Sequence, residues 1–187
     1  MFYILLAIHL ISRHPIKALF ETWWHLNQIT YHISHASQGR LRDVFCLDCA
    51  SGWSGLLHTG KCYKHVPTKT TWPDAWGSCQ KLAPSGNLAS IPDKTTNDFL
   101  TKLANDKFWT GGFQASSGKF VWMNGDQWTG YTSWAPGEPT GGSNQYIEVH
   151  TESTGEWRPG MWNDAISSDK LGAMCQYDPG QGQGQGK

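Results

Sequence analysis

The sequence predicts an α+β domain held together by disulfides, and three observations carry that reading. Two helical patterns come early, short aromatic strands follow, and five cysteines are spread from Cys46 to Cys175. A Pro/Gly-rich loop then interrupts the strands late in the chain.

The first helix is predicted over 71–82, where Trp72, Ala75, Trp76, Cys79 and Leu82 recur at helical spacing. Pro73 falls in its first turn, where a missing N–H is tolerated. The second helix is predicted over 93–103, with Phe99, Leu100 and Leu103 on one side. Strands follow at 108–110 and 120–123, and Asn124-Gly125 is a turn signal joining the latter to Gln127-Trp128 as a hairpin. Residues 134–144 are poor in apolar side chains and read as a long loop. Further strands are expected at 147–149 and 173–175.

A chain of 187 residues suits one domain with additional terminal sequence. The expected division is an N-terminal segment 1–45, a domain 46–178 and a disordered Gly/Gln tail 179–187. Eleven tryptophans and 21 glycines describe a loop-rich fold in which rigid rings anchor irregular backbone. Lys+Arg and Asp+Glu are equal at 15 each, so no general field draws the chain to nucleic acid or acidic lipid. Residues 2–11 are apolar but shorter than the ~20 residues a membrane-spanning helix needs. They match the ~7–15 residue apolar core of a secretory signal, which predicts a secreted, extracellular protein. A short buried helix is the alternative, since no basic residue precedes the run. His14, His25, His32 and His35 show no clear period and read as surface residues.

Cys46, Cys49, Cys62, Cys79 and Cys175 form an odd set, so an exported chain should carry two bridges and one spare thiol. Cys49 and Cys62 flank a turn-like Gly52-Trp53-Ser54-Gly55, and Cys79 with Cys175 would enclose nearly all of the remaining domain. Cys46 is then the spare, a candidate for a covalent oligomer. The rival is zinc, because Cys46-x-x-Cys49 followed by Cys62-x-x-His65 has the spacing of a three-cysteine, one-histidine site. Zinc leaves Cys79 and Cys175 unexplained, and the bare Cys46-x-x-Cys49 pair lacks the strand-helix setting of a redox motif. Structural disulfides are the expectation.

Two separated segments carry short oxygen-bearing side chains: Glu138-Pro139-Thr140 and Trp162-Asn163-Asp164. Hard cations such as calcium are held by carboxylate, amide and carbonyl oxygens gathered from several loop positions. If the segments meet, they make an oxygen cage suited to binding and not to catalysis. No Gly-x-Ser-x-Gly elbow, phosphate loop or His-Glu-x-x-His is present, so no enzyme is expected. Asp126 and Glu138 could be imagined as a glycosidase pair, yet nothing in the sequence places them together.

The order of these pieces resembles a C-type lectin-like domain. Cys49-x-x-Gly52-Trp53, Cys62-Tyr63, Trp76 with Cys79, and Leu88-Ala89-x-Ile91 resemble its opening. Trp109-Thr110-Gly111-Gly112 is similar to the family's central Trp-Ile-Gly-Leu motif. Trp134 before Glu138-Pro139-Thr140, then Trp162-Asn163-Asp164 and Met174-Cys175-Gln176, resemble the rest. The resemblance covers about 49–177 and implies the C-type lectin-like fold: two helices, short antiparallel strands and a long ligand-binding loop.

It also implies Ca2+ held between the two segments, with two sugar hydroxyls replacing water on the metal. By position, Glu138, Asn163 and Asp164 match the family's ligands, Trp162 packs, and glutamate at the first loop position resembles the mannose-type arrangement. The implied carbohydrate and metal site is therefore Glu138, Thr140, Asn144, Asn163 and Asp164, and the implied partners are glycans or glycoproteins. A lectin-like domain that binds a protein or other surface without calcium is the alternative.

Three departures bear on the site. Thr140 stands where the family has asparagine, and Asn144 where a second glutamate is usual. An inner disulfide is missing, with Tyr146 at one cysteine position and Ile166 or Ser167 at the other. Gln114, Ala115 and Gly141 occupy the neighbourhoods of an auxiliary calcium site, so no auxiliary ion is expected.

Overall fold

The structure, a computed structural model, describes residues 47–143 and 145–180. The expectations placed on residues 1–45, on Cys46, on Asn144 and on the tail from 181 onward lie outside them.

Among the described residues, eight strands and two helices follow in order: β1 (Ser54–Leu56), β2 (Lys61–Thr70), α1 (Trp72–Leu82), β3 (Asn87–Leu88), α2 (Lys94–Leu103), β4 (Phe108–Gln114), β5 (Phe120–Trp122), β6 (Tyr146–Val149), β7 (Trp162–Ala165) and β8 (Leu171–Tyr177). Both helices stand where the apolar spacing puts them. α1 buries Trp72, Ala75 and Cys79 with Pro73 in its opening turn, and Asp93 caps α2 by accepting the Thr96 N–H at 2.8 Å.

The strands form one sheet in the order β1-β2-β8-β4-β6-β7, with β3 added to β8 and β5 to β4. All pairings are antiparallel except β4 with β8, which run parallel through Phe108↔Gly172 and Trp109↔Ala173. The expected short antiparallel strands make up the rest of the sheet. The chain between β4 and β8 passes through β5, β6 and β7, a connection long enough to bring β8 back in the same direction as β4.

Two differences have physical causes. β2 has no sequence-based counterpart, because its outer half, Pro67-Thr68-Lys69, is polar and exposed. It is a strand because Cys62 to Val66 pair in register with Tyr177 to Ala173. The expected strand at Gln127-Trp128 is absent. After the turn at Asn124-Gly125, Trp128 stacks on Trp122 at 4.8 Å and 22° instead of continuing a ladder. Asp126 is meanwhile held by Lys61, Ser90 and Asn124.

Gly111 and Gly112 are required by close approach. A Cβ on Gly111 would come within 2.8 Å of the Leu88 carbonyl oxygen, and one on Gly112 within 2.5 Å of Ile147 Cδ1. The sheet packs two apolar clusters, one around Tyr63, Phe108, Ile147 and Trp162, the other around Trp72, Leu88, Trp109 and Cys175.

Cys49 bonds Cys62 and Cys79 bonds Cys175, with Cα separations of 5.7 and 5.3 Å. The first bond removes Cys49 and Cys62 from the zinc arrangement. The second ties α1 to the central strand β8.

Cys79–Cys175 spans 96 residues of sequence against 13 for Cys49–Cys62. In the chain-entropy description the longer loop is worth more. Replacing Cys79 and Cys175 together by alanine should cost about 2–5 kcal/mol, and more than the same change at Cys49 and Cys62. Denaturant midpoints check this, and equal losses would contradict it.

Candidate functional site

The site is assembled by Trp162, the first residue of β7 and fully buried. Its ring N–H donates to Asn97 Oδ1 on α2 at 2.8 Å, while Asn97 Nδ2 donates to the Gly160 carbonyl at 2.8 Å. Trp122, Trp128, Tyr131 and Trp134 all present edges or faces to it at 5.6–6.2 Å between ring centres. Its backbone N–H donates to Ser133 O at 2.7 Å and its carbonyl accepts the Ala135 N–H at 2.8 Å. The strand carrying Asn163 and Asp164 is thereby fastened to the loop carrying Glu138.

Glu138, Thr140 and Asp164 come together. The Thr140 N–H points between two carboxylates, 3.0 Å from Glu138 Oε2 and 2.8 Å from Asp164 Oδ1. Thr140 Oγ1 lies 3.2 Å from Asp164 Oδ1, and the Gly141 N–H donates to Asp164 Oδ2 at 2.7 Å. Asp164 is 1% exposed, so these donors compensate a buried anion. The Glu138–Pro139 peptide bond is cis. Burial and then the neighbouring Asp164 carboxylate push the Glu138 carboxyl above its usual range, despite the Thr140 hydrogen bonds.

Asn163 is adjacent on β7, with its amide nitrogen donating to Glu148 Oε1 at 3.1 Å. Glu148, 2% exposed on β6, lies opposite Asn163 in the β6–β7 register. Its carboxylate also accepts from His150 Nε2 at 3.0 Å and lies 3.4 Å from Lys107 Nζ. Burial pushes Glu148 up, but the His150 and Asn163 hydrogen bonds and the Lys107 charge outweigh that and hold it below the usual carboxylate range. Sequence reasoning missed Glu148. The available signal was a lone acid between Ile147 and Val149, both buried apolar residues of the same strand. Asp126, with its Lys61, Ser90 and Asn124 partners, makes no group with Glu138 in these contacts.

A hard cation suits this donor set. After burial, the neighbouring Asp164 carboxylate is what pushes the Glu138 carboxyl up, and a positive charge would relieve that repulsion. The Thr140 hydroxyl at Asp164 adds a neutral oxygen and Asn163, next to Asp164 on β7, carries an amide oxygen, both of the kind calcium accepts. Among the described residues no group of three or more His, Cys, Asp or Glu is gathered for a metal, so the anionic complement is this pair.

The Lectin C-type domain family matches residues 68–177. A lectin from Pleurodeles waltl is 37% identical over 139 residues, which cover 70% of this chain and 76% of that protein. The crystal structure of the cow C-type carbohydrate-recognition domain of CD23 in the presence of GlcNAc2Man3 oligosaccharide has a TM-score of 0.60 at 31% identity. It covers 71% of this chain and 97% of that one. A calcium-independent type II antifreeze protein has a TM-score of 0.61 at 22% identity, over 71% of this chain and 95% of that one, and shares the fold.

The folded state favours protonated Glu138, so its ionisation costs stability as pH rises through the raised value. In chelator, Glu138→Gln should raise Tm slightly at pH 7, with a gain in stability of no more than about 0.5 kcal/mol for a solvent-screened group. The difference should vanish as pH falls below the ordinary carboxylate range, where both folded and unfolded chains carry the proton. A thermal melt series checks it, and a lower Tm for the variant at pH 7 would contradict the reading.

Proposed function

Because the chain belongs to the C-type lectin domain family, we propose that it is a calcium-dependent carbohydrate-binding module of mannose type. Glycans or glycoproteins are its partners. The family and its fold are those of lectins, which are non-enzymatic recognition domains. The observation that carries the reading is the single Thr140 N–H shared by the Glu138 and Asp164 carboxylates, one from the long loop and one from β7.

Calcium, when bound, would offer open coordination positions to two neighbouring sugar hydroxyls. Glu138, Thr140, Asn163 and Asp164 would hold it, with Asn144 as a further neutral oxygen. Around the sugar, the Glu138 carboxylate accepts from a hydroxyl and the Asn163 amide donates to one. The Thr140 hydroxyl has a single hydrogen to give where an asparagine would have two. Glutamate at position 138 favours the mannose-type pattern of hydroxyls. With two carboxylates in the set, calcium affinity belongs at or below the weak extracellular range of about 10⁻⁴–10⁻³ M. Useful avidity then comes from clustering, for which Cys46 is the candidate link.

Two disulfides suit a secreted, extracellular setting. Among the described residues no helix is long and apolar enough to cross a membrane.

One observation favours a second reading, a lectin-like domain that binds a protein or other surface without calcium. Both Asp164 oxygens already accept hydrogen bonds from Thr140 and Gly141, which closes the loop without an ion.

The two readings separate on immobilised mannose in millimolar calcium. Retention released by chelator, and lost in Asp164→Asn, is the expected result. No retention, together with no heat and no Tm change on adding calcium, selects the second reading.

A further inference from the structure

We propose that Glu148 is the positioning residue of this site: it fixes which end of the Asn163 amide faces away from β6 and toward a ligand. The proposal deepens the calcium-and-sugar reading and rests on it for the ligand.

An amide has a donating and an accepting end that differ little in shape, so the partners must set its orientation. An ionised carboxylate only accepts. Glu148 Oε1 therefore requires the nitrogen of Asn163, at 3.1 Å, and the oxygen of Asn163 must point elsewhere. The same logic fixes His150: at 3.0 Å from that oxygen, Nε2 must carry the proton. Lys107 Nζ, 3.4–3.5 Å from both carboxylate oxygens, adds the positive charge that a buried acid needs.

The placement is rigid. The Glu148 side chain is 3% exposed and His150 16%. The cross-strand register sets Glu148 directly opposite Asn163. His150 is itself packed edge-on against Trp157 at 4.5 Å. An acid in the middle of an apolar strand is costly unless its partners are supplied, and here every partner comes from a different segment: α2–β4 turn, β6 end and β7. The consequence is that one of Asn163's two N–H bonds is spent on Glu148, which leaves its oxygen and second N–H for a ligand. That pair is what a metal-and-hydroxyl site uses from an asparagine.

The test uses the full chain, isotope-labelled, with calcium chloride as the probe. In chelator, the Asn163 side-chain NH2 should be rigid and slow to exchange. Glu148→Met fills the volume without an acceptor, and should release that amide to a mobile, solvent-like signal. Glu148→Gln, whose oxygen can still accept, should restore it. By calorimetry, calcium affinity should fall about 10- to 100-fold in Glu148→Met and recover in Glu148→Gln.

A mobile Asn163 amide in the unaltered chain overturns the proposal without any variant, which covers the case in which Glu148→Met does not fold. An amide unchanged by Glu148→Met overturns it too. A locked amide with no calcium heat in the unaltered chain upholds the Glu148 assignment and removes the calcium reading. A mobile amide with calcium heat does the reverse.

Discussion

The arrangement depends on the burial of one indole. Trp162 could pack its ring anywhere in an apolar core, but its N–H needs an acceptor once water is excluded, and Asn97 on α2 supplies it at 2.8 Å. That single requirement ties a helix to a strand. The ring then gathers Trp122 at the end of β5 with Trp128, Tyr131 and Trp134, and the segments of the last three have little regular secondary structure of their own. Aromatic packing is how this fold gives an irregular loop a fixed path. The two backbone hydrogen bonds from Trp162 to Ser133 and Ala135 convert that path into a fixed distance from Asp164.

Much of this was legible in the sequence because the signals are local. Helical spacing placed α1 and α2, and the cysteines paired as their positions suggested. Glu138 and Asp164 were legible as candidates, and the structure brings their carboxylates onto one N–H. What was not legible depends on contacts between distant segments. β2 is a strand through its pairing with β8, and Trp128 leaves a predicted hairpin because a stacked ring on Trp122 outweighs a few ladder hydrogen bonds. Glu148 escaped notice for the same reason. Its partners Lys107, His150 and Asn163 lie 41, 2 and 15 residues away, and only folding turns them into a shell.

The missing inner disulfide shows how a covalent tie can be exchanged for packing. Tyr146 occupies one of its positions and pairs with Ala165 across β6 and β7. Its ring lies 4.6 Å from that of Trp72 on α1. Beside it, the Gln114 N–H donates to the Gln145 carbonyl at 2.7 Å and the Gln145 N–H to the Ala165 carbonyl at 3.1 Å. These contacts close the base of the long loop without sulfur. They constrain the native state alone, whereas a disulfide also restricts the unfolded chain, so the stabilisation they give has a different origin.

Asp164 shows preorganisation and ion affinity drawing on the same lone pairs. Its two oxygens accept from Thr140 N–H, Thr140 Oγ1 and Gly141 N–H, close to the roughly four bonds a carboxylate can take. Those donors do for Asp164 part of what a cation would do, so the loop is ordered before any ligand arrives and less entropy is lost on binding. The same compensation reduces what a cation gains from Asp164. Glu138 is different, because burial and then the neighbouring Asp164 carboxylate outweigh its Thr140 hydrogen bonds and its carboxyl stays pushed up. A cation beside Glu138 would favour its ionised form, so the gain from binding one falls more on Glu138 than on Asp164.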